Sequence, residues 1–201
     1  MVLPESFYTR KDVVEIAKEL LGKVLVTTFD GKRTAGMIVE TEAYAGTTDK
    51  ASHAHGGRRT NRTEVMYAYG GVAYVYLCYG IHHLFNVVTN VQDTPHAILI
   101  RAIEPLEGVD VMLERRGKEK LHPSLTAGPG AMSTALGIHI RITGQQLQGP
   151  QIYIEDRCFS ISSKDIIAAT RVGVAYAMDD AVLPYRFYIK GNPFVSKGKG
   201  L

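Results

Sequence analysis

Residues 23–41 read KVLVTTFDGKRTAGMIVET, and this stretch carries the clearest structural signal in the chain. It contains two runs rich in apolar and β-branched residues, Lys23–Phe29 and Arg33–Thr41, on either side of Asp30-Gly31. An Asp-Gly pair between two such runs favours a tight hairpin turn, because both residues tolerate a positive φ. The stretch therefore predicts two antiparallel strands joined by a short turn.

The segments around this hairpin predict a mixed fold. Thr9–Leu21 has the apolar spacing of an amphipathic helix, with Thr9 as its N-cap and Asp12 three residues on. Further strands are predicted at Val72–Tyr79, Leu84–Thr89, His96–Ile103, Gln151–Glu155 and Arg186–Ile189, and helices at Val109–Arg116 and Ala131–Leu136. Because strands and helices do not alternate regularly, the pattern favours an α+β fold with a largely antiparallel sheet. Without internal repeats or linkers, we expect a single domain over residues 1–201.

Composition excludes several classes of protein. Hydrophobic residues make up 45% and charged residues 21% of the 201 residues, which is typical of a globular protein rather than a disordered or fibrous one. No apolar run approaches the roughly 18 residues of a membrane span, and the N-terminus lacks the apolar core of a secretory signal. Cys78 and Cys158 are far apart, so we expect no disulfide framework and a reducing cytoplasm.

Basic residues are clustered, although the net charge is only +3. Residues 53–62 contain Arg58, Arg59, Arg62 and two histidines but no acid, and the tail, residues 186–200, contains four basic residues and no acid. Clusters of one sign on a nearly balanced chain indicate an anionic partner. On charge alone, two solvated loops are an equally good explanation.

Five of the eleven tyrosines lie between residues 67 and 79. On a strand, Tyr74 and Tyr76 share one face, whereas Tyr79 has the opposite parity and stands at a turn beside Gly80. Tyrosines on a sheet often only pack against their neighbours. Beside a basic loop they also fit an aromatic platform with an exposed tip, which is the combination that nucleic-acid binding requires.

Two carboxylates and one arginine are candidates for acid–base chemistry. Glu40 and Glu42 stand two residues apart at the end of an apolar strand, so they share a face and lie close together. A carboxylate there is a candidate general base, and a solvent-facing strand end is the alternative. Arg101 falls within the apolar run 97–103, where a buried arginine needs a polar partner.

Histidines raise the alternative of a metal site. His53, His55 and the pair at 82–83 could be combined with Glu42 as ligands. No HExxH motif or regular ligand spacing supports this combination. We therefore expect no metal and no other cofactor.

A series of motifs runs in order through nearly the whole chain. It comprises Glu40-Thr41-Glu42-Ala43-Tyr44, His53, Gly56-Gly57-Arg58, Met66, Tyr74-Val75-Tyr76, Tyr79-Gly80, Asn86, residues 99–108, Gly128-Pro129, residues 171–174 and residues 186–193. The series closely resembles the alkyladenine (3-methyladenine) DNA glycosylase family, and the compact length resembles its bacterial members. The resemblance implies a curved antiparallel sheet with flanking helices and a protruding hairpin. It also implies hydrolysis of the N-glycosidic bond of alkylated or deaminated purines in duplex DNA.

The resemblance further implies roles for individual residues. Glu42 activates the attacking water, with Arg101 and a backbone carbonyl within residues 171–174 beside it. Tyr79 fills the gap that a flipped nucleotide leaves in the base stack. The basic loop is expected to supply phosphate contacts, from Arg58, Arg59 and Arg62.

The base pocket is implied in the same way. Tyr44, His53 and Tyr76 resemble its walls, and Asn86 resembles the residue that screens purines at its floor. Electron-rich aromatic walls favour cationic alkylated purines, and His53 is the candidate hydrogen-bond donor to neutral deaminated ones. Because no lysine stands in the reacting cluster, we expect a monofunctional hydrolase rather than a Schiff-base lyase.

Two other function classes remain open at this stage. One is a catalytically silent nucleic-acid-binding module that uses the same tyrosines and arginines. The other is a metal-dependent hydrolase built on His53, His55 and Glu42. For the glycosylase we expect a monomer of the bacterial cytoplasm, associated with the nucleoid, whose partner is duplex DNA containing damaged purines and not a membrane.

Overall fold

The computed structural model describes residues 1–198 and 200. Lys199, one of the basic residues of the tail, lies outside this part of the chain. The strands are β1 Val24–Phe29, β2 Lys32–Tyr44, β3 Ala73–Cys78, β4 His82–Thr89, β5 His96–Glu107, β6 Ile152–Glu155, β7 Ile166–Ala169 and β8 Arg186–Ile189. The α-helices are α1 Glu5–Tyr8, α2 Val13–Glu19, α3 Val109–Arg116 and α4 Pro129–Ala135. Short 3₁₀ helices occupy Gly46–Thr48, His55–Gly57, Glu64–Tyr67, Pro123–Leu125, Ile140–Ile142, Ser163–Asp165 and Ala175–Val182.

The strands form one curled antiparallel sheet, so the expected α+β fold is confirmed. The sheet order is β3-β4-β5-β2-β1-β6, and β8, which also pairs with β7, adds to β2. The predicted hairpin joins β1 to β2 through Asp30 and Gly31, both with positive φ. In its second half, β2 pairs with β5 on one side and with β8 on the other. This half of β2 is therefore the interior of the sheet.

The strand β2 is longer than its sequence predicts. The predicted strand ends at Thr41, whereas β2 continues to Tyr44. Glu42 consequently lies inside a strand and is fully buried, and the alternative of a solvent-facing strand end is wrong. The reason is long-range, because β8 covers the edge of β2 from Glu40 to Glu42 and comes from residues far along the chain.

Two bulges interrupt the pairing of β2 with β5 near Glu40. Glu40 pairs with Ala102 and the next residue of β2 pairs with Ile100, so that Arg101 is an extra residue on β5. Val39 is an extra residue on β2 in the same way. Bulges bend a strand and redirect its side chains. Here they lie where the buried charged residues meet.

The first predicted helix begins later than expected. Asp12, and not Thr9, is the N-cap of α2, because its carboxylate accepts hydrogen bonds from the N–H groups of Val14 and Glu15 at 2.9 and 3.1 Å. Thr9 instead ends α1, with its N–H donating to the carbonyl of Glu5. An aspartate at the N-cap satisfies two free N–H groups and favours the helix dipole.

Three apolar clusters surround the region where the functional residues meet. The main core packs α2 and α4 against the sheet. A second cluster lies under the basic loop and includes Met66, Tyr74 and Val88. A third contains Ala51 and Val174, with Tyr44 packed against it. Within residues 1–198 and 200, no helix has the length and apolar character needed to cross a membrane.

Candidate active site

Glu42 is held by hydrogen-bond donors on both carboxylate oxygens. Its Oε1 accepts from the N–H of Val172 at 2.8 Å and lies 3.2 Å from Nη1 of Arg101, and its Oε2 accepts from the hydroxyl of Tyr44 at 2.9 Å. An ionised carboxylate only accepts hydrogen bonds and offers about four lone-pair sites. Two hydrogen bonds and one ion-pair contact therefore fix the group in place, and acceptor capacity remains for a water molecule.

Glu40 lies on the other side of the same arginine. It accepts hydrogen bonds from Nε of Arg101 at 2.9 Å, Nε of Arg186 at 2.7 Å, and the hydroxyl and N–H of Ser196 at 2.9 and 2.8 Å. The expected closeness of the two carboxylates is confirmed, and so is the polar partner of Arg101. Glu40 balances two buried arginines, whereas Glu42 contacts only one of them.

A pocket opens beside Tyr44. Its empty volume is about 340 Å³, which includes space open to solvent at the mouth. Its lining residues are Tyr44, Ala51, Ser52, His53, Met66, Tyr74, Tyr76, Asn86, Ala97 and Tyr176. The fold thus brings together all four predicted pocket residues, and the hydrogen bond from Tyr44 to Glu42 joins the pocket to the buried carboxylate.

Aromatic rings form one side of this pocket. The ring of His53 meets Tyr76 edge to face at 4.7 Å between centroids, and Tyr74 lies 5.6 Å from Tyr76. The expected sharing of a face by Tyr74 and Tyr76 is therefore observed. Burial raises the pKa of Tyr44, as does the nearby charge of Glu42, so its hydroxyl stays protonated and donates.

His53 is neutral near pH 7. Burial lowers its pKa to about 4, and the charges of Arg62 and Arg58 act in the same direction. Its Nε2 lies 3.3 Å from Nη2 of Arg62, which can only donate, and its Nδ1 lies 2.8 Å from the hydroxyl of Tyr74. This geometry places the ring proton on Nδ1, where Tyr74 accepts it. Both ring nitrogens of His53 are thus occupied, so a hydrogen bond from His53 to a purine requires a rearrangement of these contacts.

Asn86 lines the pocket next to Tyr74, its partner across β3 and β4. Its Nδ2 donates to the carbonyls of Tyr74 and Leu84 at 3.1 and 3.2 Å, and the residue is buried. Both hydrogens of the amide are therefore used by the backbone of β3 and β4. The position of the side chain in the pocket is fixed before any ligand binds.

The tip of the β3–β4 hairpin is exposed. The side chain of Tyr79 is 91% exposed and has φ of 51°, a conformation that is uncommon for residues other than glycine. Leu77 and Ile81 beside it are also exposed. Tyr79 is therefore not a core residue, and the tip presents apolar side chains to solvent.

The three arginines of the basic loop differ in their contacts. Arg59 is paired with Glu64 and Asp93, which occupies its guanidinium. Arg62 lies over the ring of Tyr76, 4.8 Å from its centroid. Arg58 is exposed, and its side chain has no hydrogen bond or ion pair with any described residue.

A buried ion pair, Arg171 with Asp49, ties the pocket together, and the sequence gives no local signal for it. Arg171 contacts the carboxylate of Asp49 at 2.5 and 2.9 Å and donates to the carbonyl of Ala43 at 3.0 Å. Its guanidinium also lies 4.8 Å from the ring of Tyr44. Next along the chain, Val172 contacts Glu42 through its N–H, whereas the resemblance implies a backbone carbonyl in this segment.

Tyr176 is another residue that sequence reasoning missed. It lines the pocket, and its hydroxyl donates to the carbonyl of Ala51 at 3.1 Å. Tyr176 follows the motif at residues 171–174 by only two positions. An aromatic residue next to a motif of the site is the sequence signal that could have identified it. No three His, Cys, Asp or Glu side chains of residues 1–198 and 200 are grouped as a metal site would need.

The chain is similar to known proteins over nearly its whole length. Residues 6–193 match the family model described as Methylpurine-DNA glycosylase (MPG). A protein of Chlamydia abortus named "Putative 3-methyladenine DNA glycosylase" is 50% identical over 189 residues, 94% of this chain and 98% of its own. A protein of Bacillus cereus (strain G9842) with the same name is 47% identical over 205 residues, 98% of this chain and all of its own.

These matches define the class of protein as a DNA glycosylase, whose substrate is DNA and whose place is in DNA repair. The chain belongs to the methylpurine-DNA glycosylase family. The expected enzyme class, a DNA-3-methyladenine glycosylase that hydrolyses N-glycosyl bonds, is thereby confirmed.

Proposed function

We propose that this enzyme flips alkylated or deaminated purines out of duplex DNA and hydrolyses the N-glycosidic bond with a water molecule activated by Glu42. The substrates in this proposal are 3-methyladenine, 7-methylguanine, hypoxanthine and ethenoadenine. The observation that carries it is the buried carboxylate of Glu42, which is held by donors and joined through Tyr44 to an aromatic pocket.

Base flipping comes first in the proposal. A base inside a duplex is not accessible to the buried Glu42, so the nucleotide must leave the stack at a cost of a few kcal/mol. The exposed ring of Tyr79 takes its place between the neighbouring bases. The flipped purine then enters the pocket beside Tyr44 and Tyr76.

Hydrolysis follows in the pocket. Water attacks the anomeric carbon of the sugar, its proton passes to Glu42, and the purine leaves with the electron pair of the broken bond. The negative charge of Glu42 also stabilises the oxocarbenium-like character of the sugar. A cationic alkylated purine leaves as a neutral base, which is why such lesions are the easiest substrates. No lysine lines the pocket, which supports a monofunctional hydrolase.

The cellular setting belongs to the same proposal. The enzyme acts on the nucleoid in the bacterial cytoplasm. It acts as a monomer, since the basic loop and the hairpin tip form one DNA-facing set. It needs no metal or other cofactor, because the water is activated by a carboxylate.

The function is tested by incubating the protein with duplex DNA that contains hypoxanthine or 3-methyladenine, with and without a chelator. Release of the base at an unchanged rate supports the proposal. Binding without release identifies a silent DNA-binding module, and release that the chelator abolishes identifies a metal-dependent hydrolase.

Tyr79→Ser is expected to weaken binding of lesion duplex and to slow excision. The lost stacking corresponds to about 1–3 kcal/mol. Because Tyr79 is almost fully exposed, its removal should change the unfolding free energy by less than about 0.5 kcal/mol. Affinity and single-turnover rates measure the first effect and thermal unfolding the second, with the exposed Tyr69→Ser as a control. A loss of stability without a loss of binding would contradict the wedge role.

Arg58→Ala is expected to weaken binding to lesion and undamaged duplex equally. Loss of one phosphate contact should lower the slope of log affinity against log salt concentration by about 0.9. Arg59→Ala should change the slope less, because Glu64 and Asp93 already occupy that side chain. Arg62→Ala completes the series. A slope that is unchanged in all three variants would show that these arginines are solvated and do not contact DNA phosphates.

Asn86→Ser and Asn86→Gly are expected to raise excision of guanine relative to hypoxanthine. The two bases differ at the C2 amino group, which the anchored side chain of Asn86 would crowd and leave without a partner, at about 1–3 kcal/mol. Alkyladenine release should change less than this ratio. Parallel single-turnover assays with the three bases measure it. If the variants still do not excise guanine while they keep full activity on hypoxanthine, Asn86 has a structural role and does not discriminate against guanine.

A further inference from the structure

The C-terminal segment, residues 196–198, packs against the buried charges next to Glu42. Arg186 holds the segment there by donating to the carbonyls of Gly198 at 2.8 Å and Ser196 at 3.3 Å. Gly198 lies so close that a Cβ on it would stand 3.1 Å from Val172 and 3.3 Å from Nη2 of Arg101. The segment therefore touches the arginine that contacts Glu42 and the residue whose N–H binds Glu42.

Ser196 contributes two hydrogen bonds to one carboxylate and one to the arginine. Its N–H and hydroxyl both donate to Glu40, and its hydroxyl oxygen accepts from Nη2 of Arg101 at 3.3 Å. A hydroxyl is the smallest side-chain group that can donate and accept at once. Among residues 1–198 and 200, Ser196 is thus the uncharged hydrogen-bond partner of Arg101, whose ion-pair partners there are Glu40 and Glu42.

The geometry of the arginine explains why such a partner matters. Arg101 stands between two carboxylates that both attract it, and its Nε is already bound to Glu40. Without the hydroxyl of Ser196, its Nη2 loses a partly buried acceptor, and the plane of the guanidinium is free to turn toward Glu40. The contact of Nη1 with Glu42 is the longer of the two ion-pair contacts, at 3.2 Å against 2.9 Å, and would be the first to open.

We propose that Ser196 is a positioning residue for the hydrolysis: it fixes the guanidinium of Arg101 against Glu42, and so makes the C-terminal segment part of the active site. This inference rests on the proposed function. It assigns Ser196 no contact with DNA, so its effect falls on the chemical step and not on binding.

The test compares Ser196→Ala, Ser196→Thr and wild type, with the exposed Ser160→Ala as the matched control. Ser196→Ala should lower the single-turnover excision rate by roughly ten- to a hundredfold, the effect of one hydrogen bond to a charged group, with the Kd for lesion duplex unchanged. Ser196→Thr keeps the hydroxyl and should restore the rate. Gly198→Ala, which presses a methyl group toward Arg101 and Val172, should slow excision in the same way even if Ser196→Ala folds poorly.

A second readout does not depend on excision. Hydrogen exchange of the Nη2–H groups of Arg101 should be slow in the wild type and in Ser196→Thr, and faster in Ser196→Ala, because the hydroxyl of residue 196 is their acceptor. Wild-type protein that releases no base would overturn the proposed function but leave this exchange test in place. Unchanged excision rates and unchanged hydrogen exchange of Arg101 in Ser196→Ala and Gly198→Ala would overturn the role of Ser196. Equal losses in excision rate and in affinity for lesion duplex would overturn it as well.

Discussion

Glu42→Gln is expected to abolish nearly all base excision, with a loss of about 10²- to 10⁴-fold in the single-turnover rate, while lesion duplex still binds. Glutamine keeps the shape of the side chain, and its carbonyl oxygen can still accept from the N–H of Val172. Its amide cannot accept the proton of the attacking water. The change therefore removes the base and preserves the pocket.

Glu40→Gln is the internal control, and the structure predicts a different result for it. Glu40 balances Arg101 and Arg186, and weakening a buried ion pair of this kind costs up to about 3–5 kcal/mol of stability. The variant should thus unfold at a lower temperature and still excise faster per folded molecule than Glu42→Gln. Two results would show that Glu42 is not the general base. One is a near-wild-type excision rate in Glu42→Gln, and the other is a larger loss of excision rate in Glu40→Gln, measured below its unfolding temperature.

Arg171→Met is expected to destabilise the protein by about 3–5 kcal/mol, because it leaves Asp49 as an uncompensated buried charge. Both side chains of the pair are almost fully buried. Denaturant unfolding measures the loss. Arg33→Met is the matched control, since its partner Glu107 is partly exposed and such pairs contribute about 0–1 kcal/mol.

A double variant separates the charge from the packing. Replacing Arg171 and Asp49 together, by Met and Leu, removes both charges and should cost clearly less than the sum of the single changes. Two results would show that the pair does not hold the pocket wall. One is strict additivity of the changes in unfolding free energy, and the other is a loss of stability in Arg171→Met no greater than that in Arg33→Met.

Elements with a local signal were predictable from the sequence. The Asp30-Gly31 turn and β1 depend on residues next to each other, and Val109–Arg116 and Arg186–Ile189 have the predicted bounds. The start of α2 was wrong because Thr9 and Asp12 are both good caps, and only the fold of residues 5–9 decides between them.

The site was predictable only in part, for a physical reason. Residues two apart on a strand share a face, so the pairs Glu40 with Glu42 on β2 and Tyr74 with Tyr76 on β3 could be predicted from the local sequence. The burial of Glu42 depends on β8, and the contacts of Ser196 with Glu40 and of Arg171 with Asp49 each join residues more than a hundred positions apart. No pattern of spacing encodes contacts of that range.

Asp49 anchors more than its arginine, since its carboxylate also accepts hydrogen bonds from the N–H groups of Ala45 and Ala51. The backbone that leads from Tyr44 to His53 is therefore already ordered in the free enzyme. Its conformational entropy is lost when the chain folds and not when DNA arrives. Such preorganisation lowers the cost of association, so that more of the binding free energy remains to drive a nucleotide out of the duplex.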